Sequence, residues 1–146
     1  PAALERLTAV ARDTWGNASS VHHFGQQAKA VLDEARAQVA ALLGAEPPEI
    51  VFTAGGTEGD NAAVRGAVEA LEPSGRRHLI VSAIEHEAVL QTAKSLSRRG
   101  FEVSILPVGA SGVAEPEALQ ALLTDRTALV SVMHANNEIG TVQPVA

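Results

Sequence analysis

The stretch Phe52-Thr-Ala-Gly-Gly-Thr-Glu-Gly-Asp-Asn61 carries the residues best suited to hold a charged ligand. Ahead of it, Glu49-Ile-Val-Phe-Thr53 reads as a short strand, and after it Val64, Val68 and Leu71 mark a helix. A strand that breaks at Gly55-Gly56 and restarts as a helix leaves unpaired N–H groups, and the hydroxyl of Thr57, at the positive end of a helix dipole. Such an end holds a phosphate without a lysine. The same residues can also form only a tight turn and an N-cap, with Thr57 and Asp60 in the form of a capping box. Geometry leaves the two open. The stretch is not a P-loop, since no Gly-Lys-Ser/Thr ends it. Nor is it a GxGxxG fingerprint, because the glycines are Gly55, Gly56 and Gly59.

Two further polar clusters invite a chemical reading. Glu85-His86-Glu87 follows an apolar run and opens a helix. A single histidine there is ordinarily a cap, but a flat ring at a sheet edge can also stack on an aromatic ligand and move protons. His134-Ala-Asn136-Asn137-Glu138 follows another apolar run and precedes Ile139-Gly140. Asparagine pairs commonly make turns by bonding their own backbone, while a free amide can donate to a ring oxygen or a carboxylate. His22-His23 raises a metal reading, yet adjacent residues on a helix point apart and no third ligand stands at metal spacing, so no metal is expected. Arg98-Arg99 reads as the cationic last turn of a helix, and Arg76-Arg77 as a solvated loop pair.

The elements that would position these clusters alternate between strands and helices. An amphipathic helix over 1–12 carries Leu4, Leu7, Val10 and Ala11, with Pro1 at its first position. Trp15 to Ser20 is a turn-rich connector. Phe24, Ala28, Val31, Leu32, Ala35, Val39, Leu42 and Leu43 follow helical spacing up to Gly44, a C-cap glycine, and Pro47-Pro48 precedes the strand at 49–53. Strands follow at 78–82, 102–106 and 127–133, with helices at about 87–99, stopped by Gly100, and from Pro116 to near Leu123. The run Thr127 to Met133 is the most continuous apolar one and is expected at the centre of the sheet. This order predicts an α/β fold with a mostly parallel sheet. Ligands of such sheets gather at the carboxyl ends of the strands, where all three clusters fall. They therefore suggest a single site.

With 146 residues the chain is long enough for one domain that buries roughly 70% of its unfolded surface. Its 46% hydrophobic content includes one Trp, three Phe and no Tyr, so Ala, Val, Leu and Ile must build the core. A net charge of −6, with nine Arg and two Lys, argues against a nucleic-acid footprint or a polybasic membrane contact. No apolar run approaches the ~20 residues of a spanning helix and no signal peptide opens the chain, so a cytoplasmic protein is expected. The absence of cysteine excludes disulfides, Cys-type zinc sites and a thiol nucleophile within these residues.

The clusters, in this order and spacing, resemble the NifS/IscS class of cysteine desulfurases, pyridoxal-phosphate enzymes of fold type I in the class-V aminotransferase superfamily. Trp15-Gly-Asn-Ala-Ser-Ser-Val-His22 is similar to that family's W-G-N-P-S-S-x-H, and Glu49-Ile-Val-Phe-Thr-Ala-Gly-Gly-Thr-Glu58 to E-I-x-F-T-S-G-A-T-E. Glu85-His-Glu-Ala-Val89 resembles E-H-x-A-V, and Met133-His-Ala-Asn-Asn-Glu-Ile-Gly140 resembles M-H-V-N-N-E-I-G. Each motif is weak alone, and together in register they are specific. The resemblance spans nearly the whole chain. It implies a partial three-layer α/β/α large domain over 1–146, with a first strand before Pro1 and the C-terminal part of the enzyme after Ala146.

The resemblance also implies roles. Gly56 and Thr57 would hold the phosphate of pyridoxal 5'-phosphate, Gly56 by its N–H and Thr57 by N–H and hydroxyl. His86 would stack on the pyridine ring and act in proton transfer, as the catalytic residue among these. Asn137 would reach the ring-hydroxyl side of the cofactor and the substrate carboxylate. Gly56 stands where the family usually has Ala and Gly59 where it has Ser, which keeps the N–H groups but loosens the loop. The aspartate and glutamine near the ring, the Schiff-base lysine and the sulfur-accepting cysteine would lie beyond Ala146, since Lys29 and Lys94 sit in helices at the wrong places. The implied parent is a cytoplasmic homodimer that takes sulfur from L-cysteine, releases L-alanine and passes a persulfide to an iron–sulfur scaffold or tRNA-thiolation partner. The chain alone is expected to be inactive. Alternatives are another class-V enzyme (a selenocysteine lyase, a kynureninase-like hydrolase or an aminotransferase) and a non-catalytic truncated module that binds or pairs with another chain.

Overall fold

The computed structural model describes residues 2–145, which fall into two compact units that divide between Phe52 and Thr53. In the first unit, α1 (Ala2–Asp13) and α2 (His23–Leu43) follow the predicted periodicities. The expectation that Pro1 opens α1 lies outside the described residues. Gly44 closes α2 in the left-handed region at φ 65°, its N–H turned back to the carbonyls of Ala40 and Ala41. At the other end His22 is the N-cap, its Nδ1 accepting the Gly25 N–H at 3.3 Å. The connector before it packs tightly on the helix start: Trp15 stacks on Phe24 at 5.5 Å, and a Cβ on Gly25 would lie 2.2 Å from the Ser20 carbonyl oxygen. Glycine is therefore required at that position for steric reasons.

The expected strand at 49–53 does not form. Pro47–Glu49 is a single 3-10 turn closed by the Ile50 N–H on the Pro47 carbonyl at 3.2 Å, and residues 50–53 have no ladder partner among the described residues. Strand status depends on a neighbour that supplies donors and acceptors. Here a helix supplies one instead: Arg36 of α2 donates through Nε to the Ile50 carbonyl at 3.3 Å, and its guanidinium lies over the Phe52 ring at 5.3 Å.

The second unit runs α3 (Gly56–Leu71), β1 (His78–Ser82), α4 (Glu87–Arg98), β2 (Glu102–Leu106), α5 (Pro116–Leu122) and β3 (Thr127–Ser131). The sheet is parallel in the order β2-β1-β3. β1 is thus the central strand and is buried at all five positions, whereas β3, expected at the centre, forms an edge and is half-buried throughout. A continuous apolar run reports cover on both faces, not the number of ladder partners. β1 and β2 match their predicted bounds residue for residue. α4 buries Ala88, Val89, Thr92, Ala93 and Leu96, one stripe at helical spacing. Val89, Ala93 and Leu96 of that stripe pack with Val64 and Val68 of α3, Leu79 and Val81 of β1, and Phe101 to form the core. Full burial of each larger aliphatic side chain contributes about 1.5–3 kcal/mol. At the amino end of the sheet the buried His78 ring joins all three strands, Nδ1 with Thr127 Oγ1 and Nε2 with Ser104 Oγ, each at 2.9 Å.

Candidate functional site

The start of α3 differs in one respect from the capping box read in the sequence. Gly55, in extended backbone, is the N-cap, so the helix begins at Gly56 rather than after Thr57. The carboxylate that reaches back is Glu58, accepting the Ala54 N–H at 2.6 Å. Thr57 is thereby released from capping. Among the described residues its hydroxyl has no hydrogen-bond partner, and the N–H groups of Gly56 and Thr57 have no acceptor. A Cβ on Gly55 or Gly56 would meet nothing within 4 Å, so the space before this turn is open. Unpaired first-turn donors and a hydroxyl facing open space are the donor set that a phosphate requires.

α3 is fastened to α4 next to this turn. Asn61 donates to the Thr57 carbonyl at 2.7 Å and accepts from the Thr92 hydroxyl of α4. α4 itself starts at His86, which caps it: Nδ1 accepts the Ala88 N–H at 3.1 Å. An accepting Nδ1 leaves the ring proton of a neutral imidazole on Nε2, which has no partner among the described residues. The capping reading of His86 is therefore correct, and it fixes the ring without using its outer nitrogen.

The loop after β3 divides the two asparagines. Asn136 makes the turn: its Oδ1 accepts the N–H groups of Glu138 at 2.8 Å and Ile139 at 2.9 Å. Its Nδ2 crosses to the Ile84 carbonyl at 2.9 Å. Asn137 beside it is exposed and its amide bonds nothing among the described residues. Glu85 provides a second crossing, its Oε1 accepting Ser82 Oγ at 3.3 Å and Ser131 Oγ at 3.2 Å. Burial pushes the Glu85 carboxyl above the ordinary glutamate range; the Ser131 and Ser82 hydroxyls and the Met133 backbone pull it back, and Asp60 adds a small push upward.

These parts enclose two adjoining hollows. One, of about 340 Å³, is bounded by Glu85, His86, Glu87, Asn136, Asn137 and Glu138 among others. The other, of about 360 Å³, takes in Thr57, Asn61, Arg65, His86, Glu87 and Thr92. His86 lines both, with Thr57 toward one side and Asn137 toward the other. The structure so places Thr57 in one hollow and Asn137 in the other, with His86 and Glu87 shared between them; Gly56, next to Thr57, lines neither. The Asn137 hollow carries three carboxylates and no lysine or arginine among the described residues, which disfavours a phosphate there. A pyridoxal phosphate with its phosphate on Gly56 and Thr57 and its ring by His86 fits this donor set. His22 serves as a helix cap, and among the described residues no group of three or more His, Cys, Asp or Glu could hold a metal ion. Sequence reasoning missed the crossings made by Asn136, Glu85 and Asn61, because a hydrogen bond between segments 31 to 52 residues apart leaves no local pattern.

Comparison with known proteins gives the same direction. The class-V aminotransferase family model matches residues 1–146. A cysteine desulfurase IscS of Dictyoglomus turgidum is 43% identical over 141 residues, covering 97% of this chain and 36% of that protein. Another from Salmonella arizonae is 51% identical over 134 residues, covering 91% of this chain and 33% of that protein. The chain thus spans about a third of the length of these curated relatives. Among solved structures, a NifS-like protein superposes with a TM-score of 0.87 at 42% identity, covering 97% of this chain and 38% of that one. SspA in complex with cysteine superposes with a TM-score of 0.85 at 37% identity, covering 98% and 41%. No helix among the described residues is long and apolar enough to cross a membrane. With a family match over its whole length and a parallel sheet whose β1 and β3 loops meet at the His86 hollow, the chain belongs to the class-V aminotransferase family.

Proposed function

We propose that this chain is the phosphate- and ring-gripping part of the large domain of a pyridoxal-phosphate-dependent cysteine desulfurase. One observation carries the reading. Among the described residues the Thr57 hydroxyl, His86 Nε2 and the Asn137 amide have no partners around adjoining hollows, while the side chains of their neighbours Asn61, Glu85 and Asn136 bond other segments. Gly56 and Thr57 would bind the phosphate through their N–H groups and the Thr57 hydroxyl. The His86 ring, fixed by its cap, would lie against the pyridine face, and its Nε2 is the atom that would take up and return a proton. Asn137 would donate to the ring oxygen and orient the substrate carboxylate. When bound, pyridoxal phosphate supplies an electron sink for the substrate carbon beside the amine.

The relatives named as cysteine desulfurases, and the similar structure that holds cysteine, support L-cysteine as the substrate of the parent enzyme. In that enzyme a cysteine thiolate supplied from outside this chain, which has none, would attack the substrate sulfur. The carbon–sulfur bond breaks, the carbon gains a proton to give L-alanine, and the sulfur stays as a persulfide for an iron–sulfur scaffold or another acceptor. A homodimer in the cytoplasm completes the proposal. Neither of the two lysines, Lys29 and Lys94, lines either hollow. The chain alone should release no sulfide from cysteine.

The test is cofactor retention in the full-length protein that carries this segment. Thr57→Val removes a hydrogen bond to a charged group and should weaken retention about tenfold, while His86→Ala should spare retention more and cost turnover. Unchanged retention in Thr57→Val would sink the reading. Borohydride treatment of the chain alone with pyridoxal phosphate should label no single lysine, and sulfide release with one labelled lysine would reverse the expectation of inactivity.

A further inference from the structure

We propose that Asn136 is a positioning residue whose side-chain amide sets the separation of His86 and Asn137. The inference rests on the cofactor reading above and gives that site a part the motifs did not assign. The ladder between β1 and β3 ends at the pair Val81 and Ser131, and beyond it the two strand-end loops have no further backbone pairing with each other among the described residues. Two side-chain crossings remain. Glu85 reaches Ser131 at the end of the strand and the Met133 backbone two residues on, well before Asn137. Asn136 reaches the Ile84 carbonyl, two residues before His86, from the position next to Asn137.

Asn136 is placed to transmit position because both ends of its amide are used. Nδ2 donates to Ile84 at 2.9 Å, and Oδ1 accepts from Glu138 at 2.8 Å and Ile139 at 2.9 Å. Its backbone is held as well, its N–H on the Thr141 carbonyl at 2.9 Å and its carbonyl under the Gly140 N–H at 3.0 Å. A planar amide with one donor and one acceptor end locks its own loop and ties that loop to the start of α4 in the same act. Aspartate would keep the two accepted bonds but face the Ile84 carbonyl with an oxygen. Serine would keep a turn of the same kind but is too short to cross. Glutamine carries the same amide on a stem one methylene longer, which displaces both ends from these partners.

The test uses the full-length holoenzyme with Asn136→Asp and Asn136→Ser, read by the visible absorption of the bound cofactor, by its retention on dilution and by melting temperature. Gln143→Glu is the control, since Gln143 ties another loop in the same manner, to Gly112 at 2.7 Å and Ala114 at 3.0 Å, without lining either hollow. Both Asn136 variants should shift the absorption band and weaken retention roughly tenfold. Gln143→Glu should lower the melting temperature while leaving band and retention unaltered. Folded Asn136 variants with the parent's band and retention would overturn the proposal, as would Gln143→Glu moving the band as far. Failure of both Asn136 variants to fold would also overturn it, by assigning the residue to folding. Thr57→Val separates the two levels: if it weakens retention and the Asn136 variants do not, only the positioning role fails. If none of the three weakens retention, the cofactor reading fails with it.

Discussion

Helix α2 in the first unit is 21 residues long and buries only Gly25 and Ala40, whereas α4 in the second is 12 residues long and buries five. Both carry apolar residues at helical spacing. The difference is what each stripe meets: α4 lies on a central strand that is buried at every position, while Leu42 and Leu43 of α2 stay 83% and 67% exposed. α1 has no buried residue, with Leu4 and Leu7 each 64% exposed. The contrast teaches that amphipathic pattern and helix length do not make a core without a sheet face to receive them. The candidate site belongs wholly to the unit that owns a core, so its loops are mounted on packed elements.

The comparison can be broken most sharply at Leu79, a fully buried residue of β1. Leu79→Ala should cost about 3 kcal/mol in urea unfolding; a loss under about 1 kcal/mol would deny the second unit its privileged core. A smaller, pH-dependent effect is expected at Glu85. Because its folded carboxyl titrates above the ordinary glutamate value, the folded state holds that proton more tightly than the unfolded one. The corresponding stability is fully present below the unfolded value and is lost as pH rises through the raised folded value. Glu85→Gln stays uncharged, so its melting temperature should gain on the parent's from about pH 4 upward and then level off. A difference that stays flat with pH would refute the burial of that charge. The smallest effect is expected in the first unit: Leu42→Ser, at an exposed position, should alter stability by no more than about 0.5 kcal/mol. A loss like that of Leu79→Ala would show that α2 is covered in solution.

What was legible in the sequence follows the same division. β1 and β2 could be read to the residue because turn residues bound them and they pair within the unit. Gly44 and Gly100 marked helix ends correctly because a left-handed turn is a local demand that glycine meets. Residues 49–53 misled because extension is local but pairing is not, and β3 misled because apolar continuity does not count neighbours. At the candidate site, motif and position single out Gly56, Thr57, His86 and Asn137 as candidates. Their division of labour was not legible: that Glu58 frees Thr57 from capping, and that Asn136 takes the turn and leaves Asn137 open, depend on carbonyls and N–H groups whose place only the folded chain fixes.

The ring of His78 adds a consequence of another kind. One imidazole spends both nitrogens on hydroxyls from two other strands, so His78, Ser104 and Thr127 are one purchase on the sheet divided among distant codons. Exchange of Ser104 or Thr127 for an apolar residue strands a nitrogen of the buried His78 ring, and the effects of the three will not add. In a drifting lineage, or in a graft of this sheet onto another scaffold, the three positions must travel together or be replaced together.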